Sequence, residues 1–227
     1  NLPLIKVLVN FIIIYLYLLM TNKKEIIAGI IIIGNEILSG RTQDLNASTL
    51  SIWLNSLGIN VQEVRVIPDI EKTIIDTVNE LKKKYNYVFT TGGIGPTHDD
   101  ITAESISKAF NIEYDFHKEA FSLLEKYYDS GEFNEGRQKM AKMPITANLI
   151  LNPRSGAPGF YVENVFCLPG VPSILKSMIG SLNSVLIGGD PILSKTINLR
   201  TYESEIAKTL TEVQNNNKDV EIGSYPF

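Results

Sequence analysis

Residues 25–34 read EIIAGIIIIG, an unbroken apolar run rich in β-branched side chains and closed by glycine. A strand apolar on both faces predicts a place in the middle of a parallel sheet. The period then changes. Over 44–57 the apolar positions Leu45, Leu50, Trp53, Leu54 and Leu57 recur at helical spacing, Gly58 is a suitable terminator, and Trp53 is expected in the core. Residues 59–67 form a second strand through Val61, Val64 and Val66, ended by Pro68 and Asp69. Residues 70–85 return to a helix with Ile74, Ile75, Val78 and Leu81 on one face. A third strand opens at Tyr87, and a helix over 101–110 follows it. Strand–helix units in succession predict an α/β fold with a parallel sheet and right-handed crossovers.

Further along, helices are predicted over 118–128 and 134–142, separated by Ser130 and Gly131, with Met140 and Met143 as packing residues. A strand opens at Asn148. Residues 159–162 and 165–168 read as a hairpin turning at Glu163 and Asn164, and a helix over 173–187 follows with Ser173 as its cap. Residues 188–191, GGDP, read as a linker. Beyond it, strand-like 192–200, helical 203–214 and strand-like 220–224 make a small α+β module that stops without a closing signal, as if truncated. The first stretch, NLPLIKVLVNFIIIYLYLLM, is nearly all apolar. It reads either as a membrane anchor or as upstream sequence absent from the working protein. The second is preferred for residues 1–19, because the run does not begin with Met, is short for a span, and gives way at Met20 to a fresh polar start.

The totals narrow the function classes. With 227 residues and 44% apolar content, the chain can bury a proper core as one ordinary domain with a small second one. A net charge of -4 and a pI near 5.3 argue against a general nucleic-acid surface. The lone Cys167 excludes an internal disulfide and any multi-cysteine metal site, and two histidines, His98 and His117, argue against a His-rich zinc site. Cys167 lies in the second hairpin strand and is expected as a buried small hydrophobe. These features fit a cytoplasmic protein.

The chemistry concentrates in TTGGIGPTHDDIT at 90–102. Three glycines in four positions let backbone approach a ligand, and free N–H groups there and at the following helix start suit phosphate oxygens. Asp99 and Asp100 suit a divalent cation between those phosphates. The plainer reading is a common α/β turn whose aspartates complement a helix dipole. Topology adds weight to the first: Glu36 after the first strand, Asp69 after the second and Asp99 and Asp100 after the third fall on one sheet edge. Arg154, in a loop of Asn, Pro, Arg, Ser and Gly, is either a phosphate clamp or a solvated loop residue.

Taken with GNEILSG at 34–40, DLN at 44–46, NPRSGAPGF at 152–160 and LPGVPS at 168–173, the glycine turn resembles the molybdopterin-binding (MoCF biosynthesis) domain family. The narrower likeness is to its CinA-type (competence/damage-inducible protein A) branch, over about 24–186. ESEIA at 203–207 and IGSYPF at 222–227 are similar to the KH-like module that follows in that branch. The resemblance implies a three-layer α/β/α sandwich over 20–188, a partial KH-like module over 189–227, and a homo-oligomer. It implies a nucleotide diphosphate or pterin ligand, no nucleic acid and, residues 1–19 aside, no membrane. The implied activity is metal-dependent cleavage of a nucleotide pyrophosphate such as ADP-ribose or FAD, with Mg, Mn or Co. The alternatives are molybdopterin adenylylation or binding without turnover. Catalysis falls to Asp100 and Asp69; the metal to Asp100, Asp99 and Glu36; and the substrate to Thr91, Gly92, Gly93, Gly95, Ser39, Asn46, Arg154 and Gly159. Ser155 and Gly156 depart from the family's Gly-Thr order in that loop, and nicotinamide-nucleotide deamidation, a property of an additional family domain, is not implied.

Overall fold

The computed structural model describes residues 25–191, 195, 200–218, 220 and 222–225. The chain divides into two compact units, Asn1–Ile192 and Leu193–Phe227. Within the first, the described residues form a six-stranded sheet of order β2-β1-β3-β8-β7-β6. Its strands are β1 (Ile26–Ile33), β2 (Ile59–Ile67), β3 (Tyr87–Thr91), β6 (Asn148–Ile150), β7 (Gly159–Val162) and β8 (Val165–Leu168). β2, β1, β3 and β8 run parallel, and β7 alone opposes its neighbours on both sides. A separate antiparallel pair joins β4 (Tyr114–Phe116) to β5 (Lys142–Pro144).

β1 shows how the sequence builds three layers. Its side chains alternate between faces, so Ile31 and Ile33 join one buried cluster with residues of α3 (Glu71–Lys84), α4 (Thr102–Phe110) and α5 (Lys118–Tyr127). Ile30 and Ile32 meet α2 (Asn46–Ser56) and α7 (Pro172–Ile179) on the other face. The mainly parallel sandwich read from the sequence is the observed fold. Cys167 is fully buried, and burial pushes its thiol up to about 12, which leaves a packing residue and not a nucleophile. Trp53 is half-buried, edge-on to Phe89, with Nε1 donating to Asn183 Oδ1 at 3.0 Å.

Several boundaries differ from the sequence pattern. The helix expected over 134–142 is only α6 (Glu135–Lys139), because Lys142, Met143 and Pro144 pair with β4 instead. The helix expected over 173–187 begins at Pro172, with Val171 as its N-cap and no side-chain cap, so Ser173 is not the cap. It ends at Ile179 and passes into a 3₁₀ turn, Gly180–Ser184. A short α1 (Asn35–Leu38) was not foreseen. In the second unit, α8 (Glu203–Asn216) matches the expected helix. The strand expected over 192–200 lies mostly outside the described residues, as do residues 1–19. The described residues of 220–224 carry no strand. No described helix is long and apolar enough to cross a membrane.

An ion cluster fastens β2 to α3. Lys84 Nζ and the Tyr85 hydroxyl donate to Glu63 Oε2 at 2.8 and 2.6 Å, and Arg65 Nε donates to Oε1. These donors, Lys84 first, hold the Glu63 carboxyl down at about 2. A depressed carboxyl stabilises the fold above its unfolded value and loses that contribution as pH falls through its folded one. Glu63→Gln should therefore lower the melting temperature at neutral pH, and the gap to the parent should close as pH falls from about 4.5 to about 2. A gap that is constant with pH would contradict this linkage.

Candidate functional site

The carboxyl ends of β1, β2, β3 and β8 share one edge, and the turns that leave them are tied together there. Gly34 N donates to Ile67 O at 3.2 Å, and Asn35 N to Asp69 Oδ2 at 2.8 Å, so Asp69 joins the β1 turn to the β2 turn. Gly92 N donates to Leu168 O at 3.1 Å, which extends the β3–β8 ladder into the glycine turn. Asn46, at the start of α2 and 3% exposed, reaches across the edge. Its Nδ2 donates to Gly170 O at 2.8 Å and to Thr91 Oγ1 at 3.4 Å. Asp44 caps the same helix start by accepting from Asn46 N and Ala47 N at 3.2 and 3.0 Å.

The turn needs its first two glycines. Gly92 has φ +102°, and a Cβ there would lie 2.1 Å from Ile33 O. Gly93 has φ +68°, and a Cβ would lie 2.2 Å from Thr102 Oγ1. Gly92→Ala should therefore cost about 1–3 kcal/mol of stability from backbone strain alone, measured by urea unfolding; an unchanged midpoint would contradict the geometry. Asp100 folds back under the turn and accepts from Thr97 N at 2.7 Å and from the Thr97 hydroxyl at 2.5 Å. Thr97 also holds the exposed Asp99 carboxyl below its ordinary value, followed by Asp99's own backbone. Lys139 of α6 locks this bend from outside, its Nζ donating to Thr97 O and, at 3.1 Å, to Asp100 O.

Three observations make this edge a candidate ligand site. The N–H groups of Ile94 and Gly95 meet no acceptor among the described residues. Asn46 Oδ1 and Thr102 Oγ1 are buried without a hydrogen-bond partner, which is costly unless something completes them. A notch of about 50 Å³ is walled by Glu36, Asn46, Thr91 and Gly170, among others.

The structure sorts the residues expected from the sequence. Glu36, Asn46 and Thr91 share the notch. Asp100 and His98 line a second, larger cleft of about 600 Å³. The Gly92 amide is committed to the sheet, which leaves the later amides of the turn for a ligand. Ser39 caps α1, with its hydroxyl donating to Glu36 O at 3.2 Å, and Arg154 is exposed; neither lines the notch or the cleft. Gly159 has a packing role: it opens β7, and a Cβ would lie 2.5 Å from Cys167 O. Glu36, Asp69, Asp99 and Asp100 do share the edge, yet among the described residues no three His, Cys, Asp or Glu side chains stand close enough to hold a metal by themselves. Lys139 and Thr102 were missed. Their roles depend on α6 and α4 meeting the turn, and no spacing in the chain signals that.

Comparison with known proteins agrees with the fold. The family profile described as "Probable molybdopterin binding domain" matches residues 29–188. The chain belongs to the molybdopterin-binding domain family. Residues 191–227 match the profile described as "FAD synthase, middle domain". A protein of Archaeoglobus fulgidus is 35% identical over 87% of this chain and 84% of its own length. One from Pyrococcus abyssi is 34% identical over 82% and 79%. Among solved structures, the protein CinA from Thermoplasma acidophilum, described as of unknown function, is similar at 31% identity. It covers 70% of this chain and 98% of its own, with a TM-score of 0.65. A molybdopterin biosynthesis protein from Mycobacterium abscessus shares the fold at 16% identity, over 84% and 99% of the two chains, with a TM-score of 0.50.

Proposed function

We propose that this molybdopterin-binding-like domain is a metal-dependent nucleotide pyrophosphatase acting on a substrate of the ADP-ribose or FAD type. The observation that carries the reading is the pair of uncommitted amides at Ile94 and Gly95, in a turn where Gly95 packs against the Asp100 carboxylate, 2.8 Å from where a Cβ on Gly95 would stand. Such amides bind and orient phosphate oxygens, and the α4 N-terminus adds positive potential. The match of residues 191–227 to the FAD synthase middle domain supports a nucleotide ligand.

The donor set fits a hard divalent cation. Carboxylate oxygens suit Mg or Mn, and such ions are commonly held by one or two carboxylates plus substrate phosphates, with no all-protein cage required. Asp100 and its neighbour Asp99 would hold it together with the substrate phosphates, while Glu36 lines the separate notch and Asp69 is engaged by Asn35 N at 2.8 Å. When bound, the ion supplies Lewis acidity and an activated water. The protein's own part is positioning and charge compensation. The Ile94 and Gly95 amides fix the phosphate, Thr97 and Lys139 fix Asp100, and Asn46 Oδ1 accepts a hydroxyl or N–H of the bound molecule.

The test is release of AMP from ADP-ribose and from FAD by the purified chain, with Mg, Mn or Co and with chelator. Chelator-sensitive cleavage supports the reading. Tight binding of a nucleotide or pterin without cleavage favours the second reading, a carrier or adenylyl-transfer role, of which the family's description supports the binding part.

A further inference from the structure

The cleft of about 600 Å³ lies beside the phosphate turn and includes the β4–β5 pair, which plays no part in the mechanism above. Its walls come from α4, α6 and the β4–β5 pair. Tyr114 and Phe116 are two apart on β4 and so share a face. Both line the cleft, Phe116 at 39% exposure, well above what a packed core ring shows. Polar groups surround the rings. Glu104 accepts from Lys108 at 2.8 Å, and Gln138 is held by Nε2 donating to Phe133 O at 2.9 Å. Burial, then the Glu104 charge, pushes the Tyr114 hydroxyl above its ordinary value, so it stays a donor. Asp100 belongs to the cleft wall and to the turn alike.

We propose that this cleft holds the nucleoside-type half of the ligand, a planar heterocycle with its hydroxylated chain or ribose, while the attached phosphate lies across Asp100 on the 94–95 amides. The proposal rests on the phosphate reading of that turn only for the direction in which the ligand lies. The volume falls in the range of small-molecule sites, and the rings of Tyr114 and Phe116 stand with Ile101 in a lining that is otherwise charged or polar. The rings offer a stacking platform, and the carboxylates and the Gln138 amide suit ring N–H groups and hydroxyls. Lys142 Nζ stands over the Phe116 ring, 4.7 Å from its centroid. A ring that stacks there displaces a flexible side chain and no packed core.

That last contact gives the proposal a test with two opposite signs. Calorimetric titration of the intact chain would use AMP, FMN and neopterin as the purine, flavin and pterin probes, with inorganic pyrophosphate as the phosphate-only control. Phe116→Leu keeps apolar bulk and loses the π face, and should weaken the preferred heterocyclic probe about tenfold. Lys142→Ala removes the competing cation–π contact and should tighten the same probe about two- to fivefold. Pyrophosphate should bind both variants as it binds the parent. The probe that responds identifies the heterocycle. Unchanged heterocycle binding in Phe116→Leu, weaker binding in Lys142→Ala, or no binding of any probe to the parent overturns the proposal. The outcomes also separate it from the reaction. These binding shifts without AMP release leave the cleft assigned and the hydrolase reading refuted. Cleavage with a KM indifferent to both variants does the reverse.

Discussion

Asp100→Asn should lower pyrophosphate cleavage by at least about 100-fold while leaving the melting temperature close to that of the parent. The asparagine is the same size, and its amide oxygen still accepts from Thr97 N, so the bend over 97–100 persists. What is lost is the negative charge packed against Gly95 in the turn that would hold phosphate. That charge is what a divalent ion needs at this place. Lys139, which bonds the backbone carbonyls of Thr97 and Asp100, keeps its partners in the variant. Turnover and thermal unfolding measured on one preparation decide the matter. Equal turnover removes Asp100 from the chemistry. Turnover and melting temperature falling together would make it a residue of loop architecture.

Phe89→Ala carries the largest expected effect on stability. Phe89 is fully buried in β3, stacked on Phe166 with centroids 5.0 Å apart and edge-on to Trp53 at 5.9 Å. Phe166 in turn stacks on Tyr161 at 4.9 Å and meets Tyr87 edge-on at 5.9 Å. Truncation opens a cavity at the centre of this aromatic column, where the flanking strands cannot close in. The cost should be about 3–5 kcal/mol, a large share of the 5–15 kcal/mol typical of a folded domain. Urea unfolding measures it, and a loss below about 1 kcal/mol would mean that the column relaxes around the gap. Phe89 lies two residues before Thr91, so a loosened β3 also misplaces the glycine turn, and ligand affinity should fall with stability.

What the sequence disclosed depended on how local each signal was. β2 was readable with its bounds, since Val61, Val64 and Val66 and the stop at Pro68 are neighbours in the chain. The β7–β8 hairpin was equally plain, because its turn at Glu163 and Asn164 separates two short apolar runs. β4 and β5 were missed: each has three residues, and only their pairing across α5 and α6 makes them strands. That omission also hid the cleft, whose rings and lysine stand on those two strands. The glycine turn was evident from composition, while the commitment of the Gly92 amide to Leu168 was not, because the partner lies in a distant strand. The unpartnered oxygens of Asn46 and Thr102 have no sequence signature, since burial is set by the packing of α2 and α4 on the sheet. Helix α7 stopped short of its apolar pattern because Gly180 and the residues after it tighten into a 3₁₀ turn.

The position of β3 between β1 and β8 has a kinetic consequence. Val88 pairs with Val165, and Gly92 closes on Leu168, so one side of the glycine turn has no template until the chain has been made and folded through β8. Contacts of such long sequence separation are slow to form, since loop entropy is lost before the contact repays it. During synthesis the apolar edge of β3 waits for its partner while β1, β2 and α3 are already complete. The candidate ligand edge should therefore be the last part of the sheet to acquire its shape, and a chain stalled before residue 168 should expose a sticky strand and lack that site.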